Sequence, residues 1–272
     1  MHPRWRTALL AVVVATVAAV ASACAGRAGG ALGTEYEYEE DLTISLDGSA
    51  TLVVNSSVAA LAALRGLPLD TALNARADEL KTQIRKIYGS DNVRVGRISN
   101  WTRRGRRFVG IHLSVTSIQS LTKSPPFSWA TYDLHQEGEQ FVYRETLSKP
   151  ANAGTLSAGL TGDEIVAFRL HLPARIRFQN SRYLEKDESR PAARGNILTW
   201  EQRLRDRLAG KPIAYAEDRT PDVMEARMDR QSILYRTLWL FGIAFVAAML
   251  VIAGLIWLTM RRGGPVPSDH PR

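Results

Sequence analysis

The sequence predicts an α+β fold: an antiparallel sheet with one amphipathic helix at about 70–88, room for a second β-sheet, and one C-terminal transmembrane helix. Three patterns support this prediction. Apolar residues alternate on both sides of an Asp-Gly pair near residue 47, recur at helical spacing between residues 70 and 88, and form an uncharged run over 238–260. The first pattern indicates a hairpin, the second a helix with one buried face, and the third a membrane span.

Most strands are expected to pair as hairpins. Tyr36–Leu46 and Ser49–Val58 flank Asp47-Gly48, a dipeptide that favours a tight turn. Turn residues at 103–105 and 137–138 separate two further pairs: Asn92–Trp101 with Arg106–Val115, and Phe127–His135 with Gln140–Leu147. Later alternating segments predict strands at 165–172, 175–179, 196–203 and 212–217. The charged segment Ser181–Arg194 is predicted to be an exposed insertion.

One amphipathic helix lies between the first two hairpins. Asp70 is placed to cap its start and Gly89 to end it. Its apolar residues share one face: Leu73, Ala77, Leu80, Ile84 and Ile87. The other face carries charges of both signs, which favours packing on a sheet over insertion into a membrane. A second helical segment is predicted over Asp222–Arg236, leading into the membrane.

The N-terminus has the parts of a secretory signal peptide. Arg4 and Arg6 precede the apolar run Thr7–Val20, which is short for a retained membrane helix, the alternative interpretation. The only cysteine, Cys24, follows Ser22 and Ala23 as in a lipoprotein signal, which makes it the predicted lipidation site. Residues 21–23 also fit an ordinary signal-peptidase cut, so both processing routes stay open.

The C-terminus predicts a single membrane span. Leu238–Met260 has no charged residue, and aromatic residues flank it as they do at membrane interfaces. Arg261 and Arg262 follow at once, which places the tail in the cytoplasm by the positive-inside rule. The signal peptide requires the same orientation. The main domain is therefore expected outside the cytoplasmic membrane.

The charge distribution argues against a nucleic-acid partner. The chain carries 35 Lys and Arg against 27 Asp and Glu, a net charge of +8. The excess lies at the two ends, because residues 35–235 hold 28 basic and 26 acidic residues. A nearly neutral body lacks the basic surface that nucleic-acid binding needs.

These features give the following order of segments, by residue number: signal peptide 1–23; flexible tether 24–34 starting at the lipidated cysteine; extracytoplasmic βαβ-type domain with hairpins 35–149; loop or linker 150–162; β-rich continuation 163–220; juxtamembrane helix 221–237; transmembrane helix 238–260; cytoplasmic tail 261–272.

The sequence does not point to catalysis. His112, His135 and His171 are isolated within predicted strands, and we find no catalytic motif, metal-ligand spacing or phosphate-binding loop. We therefore expect a protein that is not an enzyme and has no metal or cofactor. One cationic cluster, Arg103, Arg104, Arg106 and Arg107, surrounds the turn at Gly105. It is either a solvated turn or a contact for anionic lipid headgroups.

Several short stretches resemble a known family. "LPARIRFQNS" (172–181), "NILTWEQRL" (196–204), "IAYAED" (213–218) and the opening "EDLTISLDGSATLVV" (40–54) are similar to the exported LppM-like lipoproteins of mycobacteria and their relatives. That family combines a lipidated cysteine, a β-rich domain and one C-terminal membrane helix. The resemblance implies a domain that faces the cell envelope, binds a lipid or glycolipid and has no catalytic apparatus.

Two functional hypotheses follow. The first is a non-catalytic module that binds a membrane lipid or glycolipid, with the ligand between the helix at 70–88 and the sheet. The alternative is a structural or protein-interaction module of an envelope complex, whose partners are other envelope proteins. Core positions and cavity walls use the same apolar residues, so the pattern does not separate the two. An enzyme ranks third, and histidines clustered with carboxylates in one cleft would favour it.

Overall fold

The structure is a computed structural model that describes residues 35–70, 72, 76–151, 159–185, 188–191 and 197–262. The signal peptide, Cys24 and the tether lie outside these residues. The strands are β1 Tyr36–Ile44, β2 Ala50–Ser57, β3 Val93–Arg103, β4 Arg106–Val115, β5 Ala130–Glu137, β6 Gln140–Leu147, β7 Ile165–His171, β8 Ala174–Gln179, β9 Arg182–Glu185, β10 Glu188–Pro191, β11 Ile197–Arg203 and β12 Val223–Ser232. The helices are α1 Val58–Arg65, α2 Ala77–Tyr88, α3 Leu204–Leu208 and α4 Ile233–Arg262, with 3₁₀ turns at Ile118–Lys123 and Pro125–Phe127.

The predicted α+β class is wrong, because the described chain is mostly β. Strands make up 45% of it and form two sheets, with few helices besides the apolar one at the C-terminus. The larger sheet has the order β10-β9-β11-β7-β1-β2-β4-β3, and the smaller one β5-β6-β12-β8. The larger sheet is also mixed rather than antiparallel, since β1 pairs with β7 in parallel. Strands far apart in sequence therefore pair in these sheets, whereas the local pattern predicted an antiparallel sheet with one amphipathic helix and a possible second β-sheet.

The three predicted hairpins are confirmed. β1 pairs with β2, β3 with β4, and β5 with β6, each in antiparallel register. Their turns use residues with positive φ, namely Gly48 (83°), Arg104 (50°), Gly105 (68°) and Gly138 (57°). Such angles match the twist of a tight hairpin, which explains why these dipeptides identify the turns in the sequence.

The amphipathic helix is shorter than predicted. α2 begins at Ala77, and the Asp70 carboxylate accepts a hydrogen bond from the Ala72 N–H (2.9 Å) instead of capping this helix. The helix ends before Gly89 as predicted and buries Leu80 and Ile84, whereas Leu73 lies outside the described residues. The helix α1, which follows β2 directly, was not predicted from the sequence.

Two later predictions are also wrong. Pro212–Glu217 forms no strand in the described chain beyond an isolated bridge from Tyr215 to Pro221. Asp222–Arg236 is not helical throughout, because β12 occupies most of it and pairs with β6 on one side and β8 on the other. Met, Ala, Glu and Arg are good helix formers, so the local preference favours a helix. Pairing on both edges overrides that preference. The Ser181–Arg194 insertion contains the exposed strand β10.

One hydrophobic core joins the inner faces of the two sheets and the buried sides of α1 and α2. After β12 the chain enters α4 without a linker. The Ile233 N–H donates to the Pro173 carbonyl (3.0 Å), and the Ser232 hydroxyl lies 3.3 Å from the same oxygen. The segment Ile233–Leu258 is long and apolar enough to span a membrane, and none of it is buried within the protein.

Candidate functional site

The most distinctive solvent-facing surface is the side of the large sheet opposite the core. Strand residues alternate between faces, so Tyr38 and Leu42 of β1 enter the core while Glu39 and Asp41 point the other way. We call this surface the outer face and define it by the following residues from five neighbouring strands: Glu39, Asp41, Asn55, Trp101, Gly110, Arg169 and His171.

Polar side chains on the outer face form one connected row. The Asn55 amide donates to Glu39 (3.1 Å), and the Arg169 guanidinium donates to the other Glu39 oxygen (3.0 Å). Arg169 also lies 3.6 Å from Asp41, whose second oxygen is 2.9 Å from His171 Nε2. Burial lowers the pKa of Arg169, but its bond to Glu39 and the nearby carboxylates raise it by more. The row is therefore linked by hydrogen bonds and close polar contacts, and its side chains are partly exposed to solvent.

An aromatic side chain lies at one end of this row. Trp101 stacks on Phe108 with ring centroids 5.6 Å apart and planes at 22°. Gly110 makes room for it, since a Cβ at that position would lie 2.6 Å from Ser99 Oγ, 3.0 Å from Asn55 Oδ1 and 3.3 Å from the indole. Trp101 nevertheless stays 39% exposed, so part of its indole is open to solvent.

This combination suits a polyhydroxylated ligand. A sugar ring has C–H groups that pack on an exposed indole and hydroxyls that both donate and accept hydrogen bonds. Glu39 and Asp41 are acceptors, Asn55 is both donor and acceptor, and Arg169 is a donor. The surrounding positions Thr43, Thr51, His112 and Ser114 are exposed, so the face is open to a ligand. Because all these groups stand on paired strands, little ordering is needed on binding.

The predicted headgroup contact, Arg103, Arg104, Arg106 and Arg107, lies at the β3–β4 turn and mostly makes contacts within the fold. Arg106 pairs with Glu37 (3.0 Å) and Glu164 (3.1 Å), and Arg103 bonds the Tyr36 carbonyl and lies 4.2 Å above the Phe108 ring. Arg107 is buried, whereas Arg104 is exposed at the tip. Membrane contact by this turn stays a prediction, and three of its four arginines have a role in packing.

A second unusual feature, missed in the sequence, is a charged cluster buried between the sheets. Arg65, at the end of α1, pairs with Glu40 of β1, and its guanidinium carbon lies 3.1 Å from the Trp129 ring centroid. Across from it on β6, Glu145 accepts a hydrogen bond from the Tyr143 hydroxyl (2.6 Å). Alternation alone does not reveal this cluster, because its members come from separate strands and a helix.

Burial controls the ionisation of this cluster. Burial raises the pKa of Glu145 to about 7, although the Tyr143 hydrogen bond and the Arg65 charge act in the opposite direction. Burial and the neighbouring Glu145 raise the pKa of Glu40 as well. Burial also lowers the pKa of Arg65 to about 9. Burial therefore favours the neutral form of both carboxyls.

At the ligand position predicted between the helix at 70–88 and the sheet, the described part of the helix packs on the hydrophobic core. Leu80, Ile84 and Tyr88 of α2 are buried, and the Tyr88 ring meets Phe127 edge-on at 5.6 Å. These contacts give α2 a packing role.

The three histidines of the body do not come together in one cleft of the described chain. His171 is beside Asp41, His135 is 2.7 Å from Asp133 in the other sheet, and His112 is exposed two strands away from Asp41. Within the described residues no group of three or more His, Cys, Asp or Glu side chains is arranged to hold a metal ion.

Comparison with known proteins gives only weak similarity, to solved structures. No family model matches the chain, and no curated protein matches it. Among solved structures, the NMR structure of the folded domain of LppM from Mycobacterium tuberculosis matches with 13% identity and a TM-score of 0.37, covering 76% of this chain and 98% of that one. This match concerns the fold at most and transfers no site residue. Membership of the LppM-like family stays a prediction.

Proposed function

We propose that the chain is a single-pass membrane protein whose β domain binds the sugar headgroup of an envelope glycolipid on the outer face. The proposal includes a lipid on Cys24, a domain outside the cytoplasmic membrane and a cytoplasmic tail. It involves no catalytic step. The observation that carries it is the exposed Trp101 seated on Gly110 at the end of the polar row.

The membrane part of the proposal is supported by α4, whose apolar segment is fully exposed unless lipid or another helix covers it. A soluble protein rarely exposes so large an apolar surface. The ligand part is supported by the outer face, where stacking and hydrogen-bonding groups lie side by side on a rigid sheet. A glycolipid in the same membrane would present its sugar within reach of a domain that joins its anchor without a linker.

Binding by the full chain in detergent micelles tests the ligand. We would titrate the full chain with soluble oligosaccharides released from envelope glycolipids and measure binding by saturation-transfer NMR. Trp101→Ala should weaken binding by about fivefold or more, since truncation of an aromatic residue that anchors a ligand costs more than about 1 kcal/mol. Tyr215→Ala is the matched control, because Tyr215 is a large, 57% exposed aromatic residue outside the outer face. Equal binding by Trp101→Ala and the wild type would refute the site.

A second candidate function is protein interaction by strand addition. β3 ends the large sheet, and among the described strands it pairs with β4 alone. Arg94, Gly96 and Arg97 along it are exposed. An edge strand offers unpaired main-chain groups to an incoming strand. A photo-cross-linking residue at Arg97 in native membranes would give one discrete adduct for this function and none for a glycolipid-binding module.

A further inference from the structure

A polar cleft lies next to the point where the chain enters α4. This cleft, which we call the basal cleft, has a volume of about 550 Å³. It is lined by Glu139, Arg177, Asp229, Arg230 and Gln231. We propose that the basal cleft binds the phosphoethanolamine headgroup of a phospholipid in the leaflet that α4 enters. This inference rests on the membrane anchoring in the proposed function and is independent of the sugar site on the outer face.

The position of the cleft along the chain places it near the headgroups. Arg230 precedes the first helical residue, Ile233, by three positions, or about 10 Å at the rise of a strand. The headgroup region of one leaflet is roughly 5–8 Å thick. An arginine side chain reaches several ångströms from its Cα, so Arg230 can contact the phosphates of the leaflet.

The charges in the cleft match a zwitterion rather than an anion. Two arginines face two carboxylates: Arg177 binds Asp229 through Nε (2.6 Å) and Nη2 (3.1 Å), and Arg230 binds Glu139 through Nη1 (3.1 Å). Guanidinium groups bind phosphate well, and a carboxylate accepts hydrogen bonds from a primary ammonium. Phosphoethanolamine carries both partners. Phosphocholine has no ammonium N–H to donate, and phosphoglycerol has no cation.

One of the two ion pairs can open at little cost. Glu139 is 89% exposed and Arg230 46% exposed in their side chains, so their pair contributes little in water. Arg177 and Asp229 form a two-point contact on paired strands and keep the wall of the cleft in place. We therefore expect Arg230 to turn to the lipid phosphate and Glu139 to the ammonium group.

Native mass spectrometry of the full chain in detergent tests the proposal. Phosphatidylethanolamine, phosphatidylcholine and phosphatidylglycerol would be offered separately at equal concentrations, and the retained lipid would be counted. The wild type should retain phosphatidylethanolamine about tenfold better than the other two, and Glu139→Gln with Arg230→Gln should lose that preference. The matched control is Glu188→Gln with Arg190→Gln, a similarly exposed pair at 3.3 Å in the other sheet.

The other outcomes are distinct. Equal retention of the three lipids, or a preference that survives in the double variant, overturns the headgroup site. A preference for phosphatidylglycerol would mean that the cleft recognises an anion and not a zwitterion. That result would also overturn the headgroup site. Flotation with vesicles is measured in parallel. A chain that does not float refutes the anchoring and the cleft together, whereas a floating chain without lipid preference refutes the cleft alone.

Discussion

Replacing Glu145 by glutamine should remove a large part of the pH dependence of stability. Glu145 is buried between the sheets, and its pKa is raised from 4.5 to about 7. The folded state therefore holds a proton that the unfolded state releases above pH 4.5. The stabilisation from this proton is complete below pH 4.5 and is lost as the pH rises through 7. A shift of this size corresponds to about 3 kcal/mol in the free energy of unfolding.

A glutamine side chain at this position would imitate the protonated carboxyl, because its amide oxygen can accept the Tyr143 hydroxyl hydrogen bond. Wild type and Glu145→Gln should thus be similarly stable near pH 4.5, and the variant should be more stable at pH 8. Urea unfolding of the full chain in detergent, followed by tryptophan fluorescence at a series of pH values, measures this difference. Glu79→Gln on the exposed side of α2 is the control. Parallel pH profiles for wild type and Glu145→Gln would refute the assignment of the proton.

Three further predictions concern the scaffold, each measured as a change in thermal or urea unfolding. Ser57→Ala should cost about 1 kcal/mol, because its hydroxyl caps α1, while Ser57→Thr should retain most of that stability. Gly66→Ala should cost at least about 1–2 kcal/mol, because Gly66 ends α1 at φ 66° and an added Cβ would lie 2.9 Å from the Ala151 Cβ. Arg106→Gln should cost about 2 kcal/mol by leaving buried Glu37 without its cation, and Glu37→Gln in the same chain should restore part of it. If one of these variants is as stable as the wild type, that result contradicts the role given to its residue.

The sequence predicts local structure in this protein better than long-range pairing. Asp47-Gly48 identifies the first hairpin because its turn needs positive φ, which is a local property. The parallel pairing of β1 with β7 joins Glu39 to Ala167, and no local period encodes it. α1 was missed because its eight residues are apolar on nearly every side and follow a strand directly. A helix was predicted at β12 because the composition of this segment favours one. Pairing with β6 and β8 makes it a strand instead.

The candidate site shows the same difference between local structure, which the sequence predicts, and long-range pairing, which it does not. Alternation in β1 places Glu39 and Asp41 away from the core, so two of the five side chains in the polar row follow from the local pattern. Arg169 and Trp101 join that row only through the order of the strands in the sheet, which the sequence pattern leaves open. The basal cleft depends on β12 being a strand, so the helix predicted at 222–236 concealed it.

The direct passage from β12 into α4 has a consequence for how the domain would search for its ligand. Ile233 is tied to Pro173 by a main-chain hydrogen bond, so the helix begins on the body of the small sheet. With α4 in a bilayer, a turn of the helix about its axis would swing the whole domain, and a tilt would lower one rim towards the lipid surface. The domain would then sample a thin layer above the membrane by lateral diffusion. Encounter rates would depend on the surface density of the ligand rather than on its concentration in solution.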